Sequence, residues 1–488
     1  MSDAGDRRGY RLDEALAVAR LRGRSWAPIV EDERRTDVVT LDSVASEVAA
    51  ELVAKGVTRG ERVGLAVENA APHIAAVFGV WRAGAVLVPL NPRLTPGEAD
   101  ALLAHAGATV RLVVDARDGA RRIEPLPHAA TRASDAMDDD VAVIAYTSGT
   151  TGRPKGVVLT HANMLWAAAA VMKTRRDHER SVAAVVSPLC HNPIFVSHYL
   201  ARLLSGGTVV LGGFAPERVV RLIREHGVTD LPLVPAMIGP LLESRELGDT
   251  SRVEKVSVGS ALTPMDVKHQ LAERFANAEI IEAYGQTEST DGLTMAVGRE
   301  ALERPGTVGR AHALLAVAIE SRSGGLAAPG ETGEIVARGP VVMRGYLDDP
   351  EATAAALRDG WLHTGDLGRM DEDGHVFITG RLKEIIITGG ENVSPEEIEA
   401  VLGRHPAVAE VAVFGMPHER WGEQVTAAVV ARAPVTCEDL REFARPHLAG
   451  FKLPRELVVV DALPKTSAGK IKRREIRDRL VASTTATR

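Results

Sequence analysis

The sequence predicts an α/β protein, with a large N-terminal domain of layered, mainly parallel strands and helices that ends in a small β subdomain and is followed by a small α+β domain. Three observations carry that expectation. Between about residues 40 and 285, short β-branched runs alternate with amphipathic helical stretches, the rhythm of strands joined by helical crossovers. After about 305 the strands shorten and Gly and Pro turns multiply. Near 380 a new helix-start signal appears.

The runs "RVGLAV", "AVLVPL", "TVRLVV", "VAVIAY", "SVAAVV", "TVVLG", "VTDLPLV", "VEKVSVG" and "AEIIEAY" are read as the strands of the layered part. "GTVGRA", "LLAVAIES" and "GETGEIVARG" supply the β subdomain, and "RMDEDGHVFITG" reads as a hairpin around Asp373-Gly374. In "VSPEEIEAVLGRHP", Ser394 stands at an N-cap, Pro395 at the first helical position and acids in the first turn. The strands "VAEVAVFG" and "QVTAAVVA" and a helix over 437–448 follow. The expected division is therefore 1–380 and 381–488.

With 488 residues and 45% hydrophobic content the chain can bury more than one core. A net charge of -7 and the lack of any long Lys or Arg run argue against nucleic acid or an anionic membrane as the main partner. The ligand is expected to be small. Cys190 and Cys437 are far apart and lack metal-type spacing, which places the protein in a reducing cytoplasm. The N-terminus has no apolar signal core, and no apolar run reaches the ~18–20 residues of a membrane span.

The stretch "YTSGTTGRPKGV" at 146–157 directly follows the apolar run "VAVIA". Its hydroxyls from Thr147, Ser148, Thr150 and Thr151, and the backbone N–H groups left uncovered at glycines such as Gly149, suit phosphate oxygens. Lys155 follows Pro154 and precedes Gly156, whereas a Walker lysine follows Gly and precedes Ser or Thr. The loop is read as a grip on a nucleotide tail of another kind, in preference to a polar turn between strands.

This loop resembles the phosphate loop of the adenylate-forming superfamily, which includes acyl-CoA synthetases, stand-alone adenylation domains and luciferases. "SPLCHN" at 187–192, "YGQTES" at 284–289, "HTGDLGRMDEDGHVFITGRLKEIIITGGENVSPEEIE" at 363–399 and "LPKTSAGKIKRREIRD" at 463–478 follow in the same order as in that family. The resemblance covers almost the whole chain. It implies that a carboxylate attacks the α-phosphate of ATP to give an acyl-adenylate and pyrophosphate, after which a thiol displaces AMP. ATP, Mg2+ and coenzyme A, or a carrier protein's phosphopantetheine, are the implied cofactors and partners, acting on a small carboxylic acid in a monomer or homodimer.

By the same resemblance Lys470 bridges the carboxylate and the α-phosphate, against the plainer reading of a cation on a solvated basic helix. Charge builds at the α-phosphate during attack, so a positioned cation and a metal are expected to matter most. Glu288 is implied as the magnesium ligand and Thr287 as a phosphate contact. Asp366 accepts the ribose hydroxyls through its two oxygens, Arg381 reinforces that contact, Tyr284 stacks on adenine, and Gly259, Ser260 and Ala261 line the base. Lys383 falls at the hinge about which a mobile C-terminal domain rotates. Gly389 and Gly390 then admit a pantetheine arm, with Trp421 and Lys452 in segments bordering the thiol donor.

His191 matches the residue at the mouth of the acyl pocket, and the following Asn192 resembles the pair seen in enzymes that activate aromatic acids. Ser197 is assigned to the same pocket. Asp230 interrupts an apolar strand, where a carboxylate costs several kcal/mol unless paired; a substrate ammonium is one partner and a buried Arg or a backbone cap the other. Val258 stands where relatives have Gly or Ala on the pocket floor, which argues against long fatty acids. The expected substrate is a compact acid, aromatic or cyclic, with an amino-substituted or β-amino acid as the variant that Asp230 explains. The main alternative is a stand-alone adenylation enzyme that loads an aryl or β-amino acid onto a carrier protein. A nucleotide-binding protein that has lost catalysis predicts damage at Lys470, Glu288 or Asp366, and all three are intact.

Overall fold

The computed structural model describes residues 11–21, 26, 28–127, 137, 140–147, 154–244, 246–259, 262–382, 384–388, 391–418, 421–466 and 469–486. The expected sites Ser148, Gly149, Thr150, Thr151, Ser260, Ala261, Lys383, Gly389 and Gly390 lie outside these residues.

The apolar runs of the first half form two sheets. A seven-stranded sheet carries Arg62–Ala66, Val86–Leu90 and Val110–Val114 as parallel neighbours, with Val141–Thr147 parallel to Val86–Leu90. Helices cover its central strands, and the run Ala71–Arg82 is buried along nearly its whole length, with Phe78 and Trp81 inaccessible. The expected parallel order stops at the phosphate loop, because Val141–Thr147 and Lys155–Thr160 pair antiparallel. The two strands that flank the loop therefore run side by side, with Thr147 opposite Lys155. Gly156 is closely packed here, since a Cβ would come 3.0 Å from Ile144 and 3.2 Å from Leu347, so a larger residue would need both side chains to give way.

A fourteen-stranded sheet holds the second half of the large region. Thr208–Leu211, Val182–Val185, Asp230–Leu233, Lys255–Val258 and Glu279–Gly285 run parallel at its centre. From Gly292–Val297 onward the strands are antiparallel. The expected β subdomain is thus an extension of this sheet, joined where Thr307–Ala311 pairs with Val376–Arg381. The predicted hairpin forms between Trp361–Met370 and Val376–Arg381, with Gly374 at φ 84° in its turn.

A third sheet of five strands begins at Ile386–Thr388 and encloses its own core around Ile398, Val413, Val429 and Leu440. Its helix Pro395–Leu402 starts as expected with Pro395 at the first position, but the Ser394 hydroxyl bonds to Glu396 Oε2 at 2.8 Å instead of capping the backbone. The helix expected over 437–448 ends at Ala444, capped at its start by Thr436 and Asp439. Pro446 accounts for the early stop, because it has no N–H to continue the helical ladder, although Arg445 before it keeps helical geometry. Among the described residues no helix is long and apolar enough to cross a membrane.

Candidate functional site

Strand register creates the nucleotide end of the site. Asp366 and Arg381 are direct cross-strand partners, and Arg381 Nε lies 2.9 Å from Asp366 Oδ1. Tyr284, at the end of Glu279–Gly285, donates its hydroxyl to Asp366 Oδ2 at 2.7 Å. Burial raises the Asp366 pKa, and Arg381, Tyr284 and Lys470 oppose that rise. An ionised carboxylate has about four acceptor sites, so these two contacts leave Asp366 able to accept further hydroxyls. Gly259 closes the strand Lys255–Val258 and is half-buried.

The turn after Tyr284 carries Thr287 and Glu288, both half-buried. It is held tightly. The Glu288 carbonyl accepts from Met343 N at 2.8 Å, and its Oε1 accepts the Tyr346 hydroxyl at 2.8 Å. The turn leaves through Thr290, a β-branched residue at φ 64°, a conformation that costs about 1–3 kcal/mol. Its hydroxyl donates to the Val341 carbonyl at 2.6 Å and its carbonyl accepts from Asn192 Nδ2 at 2.7 Å. These bonds offset the strain and lock the Thr287–Glu288 turn to the segment that follows His191.

Lys470 reaches the same place from the C-terminal region. Gly469 at φ 80° places a hypothetical Cβ 3.5 Å from Ala236, in the large region, and the Lys470 carbonyl accepts from Thr466 N at 2.8 Å. The lysine stays accessible to water, yet protein crowds it on most sides. That desolvation lowers its pKa, helped by Arg381 and opposed by Asp366, Glu288 and Glu384. His191 has its pKa lowered by burial first, then by Lys470 and Arg93, and its buried Nε2 has no hydrogen-bond partner among the described residues. One lysine thus lies within electrostatic reach of Asp366, Glu288 and His191.

On the acyl side two expectations change. Asp230 is wholly buried and paired with Arg202, which also pairs with Asp177, so the buried-arginine reading holds and the carboxylate does not face a substrate ammonium. Val258 is buried in a core with Leu231, Leu233 and Val256. Strand alternation puts Ser257 on the opposite face, the one Lys255 shares, and its buried hydroxyl has no partner among the described residues. Asn192 donates to Thr290 as described, so it braces the turn. Ser197, in the π-helical stretch Phe195–Leu200, bonds to Asp291 Oδ2.

At the expected thiol side, Lys452 Nζ is 2.6 Å from Glu397 Oε1 and the Trp421 ring lies 4.4 Å from the Arg455 guanidinium carbon. Sequence reasoning missed Tyr346, Thr290 and Arg202. No periodicity or spacing singles them out, because each matters through a residue distant in the chain.

Residues 18–347 match the AMP-binding enzyme family and residues 397–470 match the AMP-binding enzyme C-terminal domain. The feruloyl-CoA synthase of Amycolatopsis sp is 36% identical over 446 residues, covering 88% of this chain and 90% of its own. A 3-[(3aS,4S,7aS)-7a-methyl-1,5-dioxo-octahydro-1H-inden-4-yl]propanoyl:CoA ligase of Mycobacterium tuberculosis is 36% identical over 493 residues, covering 93% and 95%. The o-succinylbenzoate CoA synthetase of Bacillus subtilis, solved with its acyl-adenylate intermediate, superposes with a TM-score of 0.86 at 27% identity over 96% of this chain and 99% of that one. The same enzyme solved with ATP and a magnesium ion gives 0.84 at 26% identity over 95% and 99%.

Proposed function

We propose, from the premise that this chain belongs to the AMP-binding enzyme family, that it joins a compact aromatic or cyclic carboxylic acid to coenzyme A. It is an AMP-forming acid–thiol ligase that uses ATP, Mg2+ and coenzyme A. The observation that carries the site reading is the convergence of Lys470 with Asp366, Glu288 and His191.

Each group has a demand to meet. Lys470 supplies positive charge where a carboxylate oxygen attacks the α-phosphorus and pyrophosphate leaves. Its pKa is lowered because protein crowds it on most sides, and partial loss of hydration strengthens its pull on anions. Asp366 and Arg381 take the ribose, Tyr284 takes the base, and Thr147 with Lys155 flank the phosphate loop. Hard oxygen donors at Thr287 and Glu288 fit magnesium, which when bound neutralises phosphate charge. His191, held neutral by burial, borders the acid. For the second step, in which the thiol sulfur attacks the acyl carbonyl and AMP leaves, a rotation of 381–488 about Lys383 clears the thiol's path.

The relatives' names support an aromatic or ring-bearing acid and coenzyme A as acceptor. The pairing of Asp230 with Arg202 removes the reason for an amino substituent. The test is acid-dependent ATP–pyrophosphate exchange with ferulate, benzoate and its hydroxy- and amino-derivatives, 2-succinylbenzoate, short 3-amino acids and long-chain fatty acids. Thioester formation is then measured with coenzyme A and with a phosphopantetheinyl carrier protein. Aromatic or cyclic acids should give the highest kcat/KM, with coenzyme A preferred; a tenfold preference for fatty or amino acids would overturn the substrate reading.

A further inference from the structure

Tyr346 belongs to no motif that the sequence picked out, yet it touches two of the chemical groups the reaction needs. Its hydroxyl donates to Glu288 Oε1 at 2.8 Å. The Lys155 ammonium sits 4.4 Å from the centre of its ring, within the range of a cation–π contact. A single side chain therefore links the carboxylate after Tyr284 to the lysine that ends the phosphate loop.

The backbone leaves this side chain little freedom. Gly345–Tyr346 pairs antiparallel with Lys155–Thr160, placing Tyr346 opposite Val157, one residue beyond the glycine that follows Lys155. Leu347 N donates to the Gly156 carbonyl at 2.7 Å, Arg344 N to the Val158 carbonyl at 2.9 Å, and Tyr346 N to Thr353 Oγ1 at 2.9 Å. On the other side Met343 N holds the Glu288 carbonyl at 2.8 Å. A neutral donor bonded to an anionic oxygen is a short, strong contact, and it fixes which oxygen of Glu288 stays open.

We propose that Tyr346 is a positioning residue for the metal site: its hydroxyl orients the Glu288 carboxylate toward a divalent cation, and its ring face holds Lys155 at the phosphate loop. This rests on Glu288 as the metal ligand. Partners that orient ligating groups are commonly worth tenfold or more in metal affinity. The two halves of the role separate by substitution, since Tyr346→Phe removes the donor and keeps the ring, whereas Tyr346→Leu removes both.

The experiment titrates full-length protein with Mn2+ in the presence of α,β-methylene-ATP, following the free-ion electron paramagnetic resonance signal, and measures the Mg2+ dependence of pyrophosphate exchange in parallel. Tyr346→Phe should weaken Mn2+ binding by about tenfold and raise the half-saturating Mg2+ by a similar factor, with saturating Mg2+ restoring most of kcat. Tyr346→Leu should in addition raise the KM for ATP at saturating Mg2+. If Tyr346→Phe binds Mn2+ within twofold of the parent while Glu288→Gln binds it weakly, the positioning role is wrong and the metal reading stands. If Glu288→Gln binds Mn2+ as the parent does, the metal reading itself fails and the proposal with it.

Discussion

Two clusters of charge, one inside the large region and one where Lys470 approaches it from the C-terminal region, are built in opposite ways. Beneath the central parallel strands, Arg175, Asp177, Arg202, Asp230 and Lys255 form a closed set. Asp177 pairs with Arg175 at 2.7 Å, with Lys255 at 3.4 Å and with Arg202, and Arg202 pairs with Asp230. Four of the five are inaccessible or nearly so. In the cleft, Lys470, Asp366, Arg381, Glu288 and Tyr346 form an open set: Arg381 is half-exposed, Lys470 reaches water, and Glu288 is anchored by a phenol. The closed cluster gives each carboxylate a permanent guanidinium or ammonium, and desolvation takes the Arg202 pKa down to about 9. The open cluster holds a cation near two carboxylates without a fixed ion pair to either of them.

Breaking each cluster should give different phenotypes. The largest effect is expected at Lys470→Ala, where acyl-adenylate formation should fall by about a thousandfold, in the range of lost transition-state charge stabilisation. The protein should melt at nearly the parent temperature. Turnover of a supplied acyl-adenylate should fall far less. Equal loss of both half-reactions, followed by pyrophosphate exchange and AMP release, would remove Lys470 from the first step.

Asp230→Ala attacks the closed cluster and should cost about 3–5 kcal/mol of stability, because it leaves part of Arg202 buried without its counter-charge. Urea unfolding measures it, and the KM for the acid should stay within threefold. A large KM change at parental stability would return Asp230 to the pocket.

A smaller, pH-dependent effect sharpens the boundary between the two. Burial pushes the Asp291 pKa up to about 7, despite the Ser197 hydroxyl and Arg175. Its folded pKa is raised above the ordinary value of 3.8, so between about pH 4 and 7 the folded state holds more protons than the unfolded one. Stability from this group is therefore lost as pH rises through that window. Asp291→Asn should flatten the fall, with a gain of about 1–3 kcal/mol at pH 8 relative to its effect at pH 4. Denaturant midpoints at the two pH values check this, and parallel curves for parent and variant would count against a buried, titrating Asp291.

The fold was legible to the extent that it depended on local pattern. The apolar runs of the first half appear as strands, the Asp373-Gly374 hairpin forms, and Pro395 starts its helix. Strand direction at the phosphate loop was not legible, because "VAVIAY" has the same composition whether its neighbour runs with it or against it. How the β subdomain joins the layered part of its domain was not legible either, since edge pairing between Thr307–Ala311 and Val376–Arg381 joins residues far apart in the chain. Which face Val258 takes was not legible for a related reason: the side of the sheet follows from register, and a slip of one residue exchanges Val258 for Ser257.

The sequence by itself determined the reaction class, because the phosphate loop, "YGQTES", "HTGD" and "SAGK" are contiguous motifs whose residue types match the chemistry they carry. The tertiary structure alone decided how the charges are shared. Whether Asp230 has a partner depends on Arg202, whether Glu288 is oriented depends on Tyr346, and whether Lys470 acts at all depends on its approach to Asp366 and His191. Motif chemistry is written along the chain, whereas desolvation and pairing act through space and exist only once distant segments pack together.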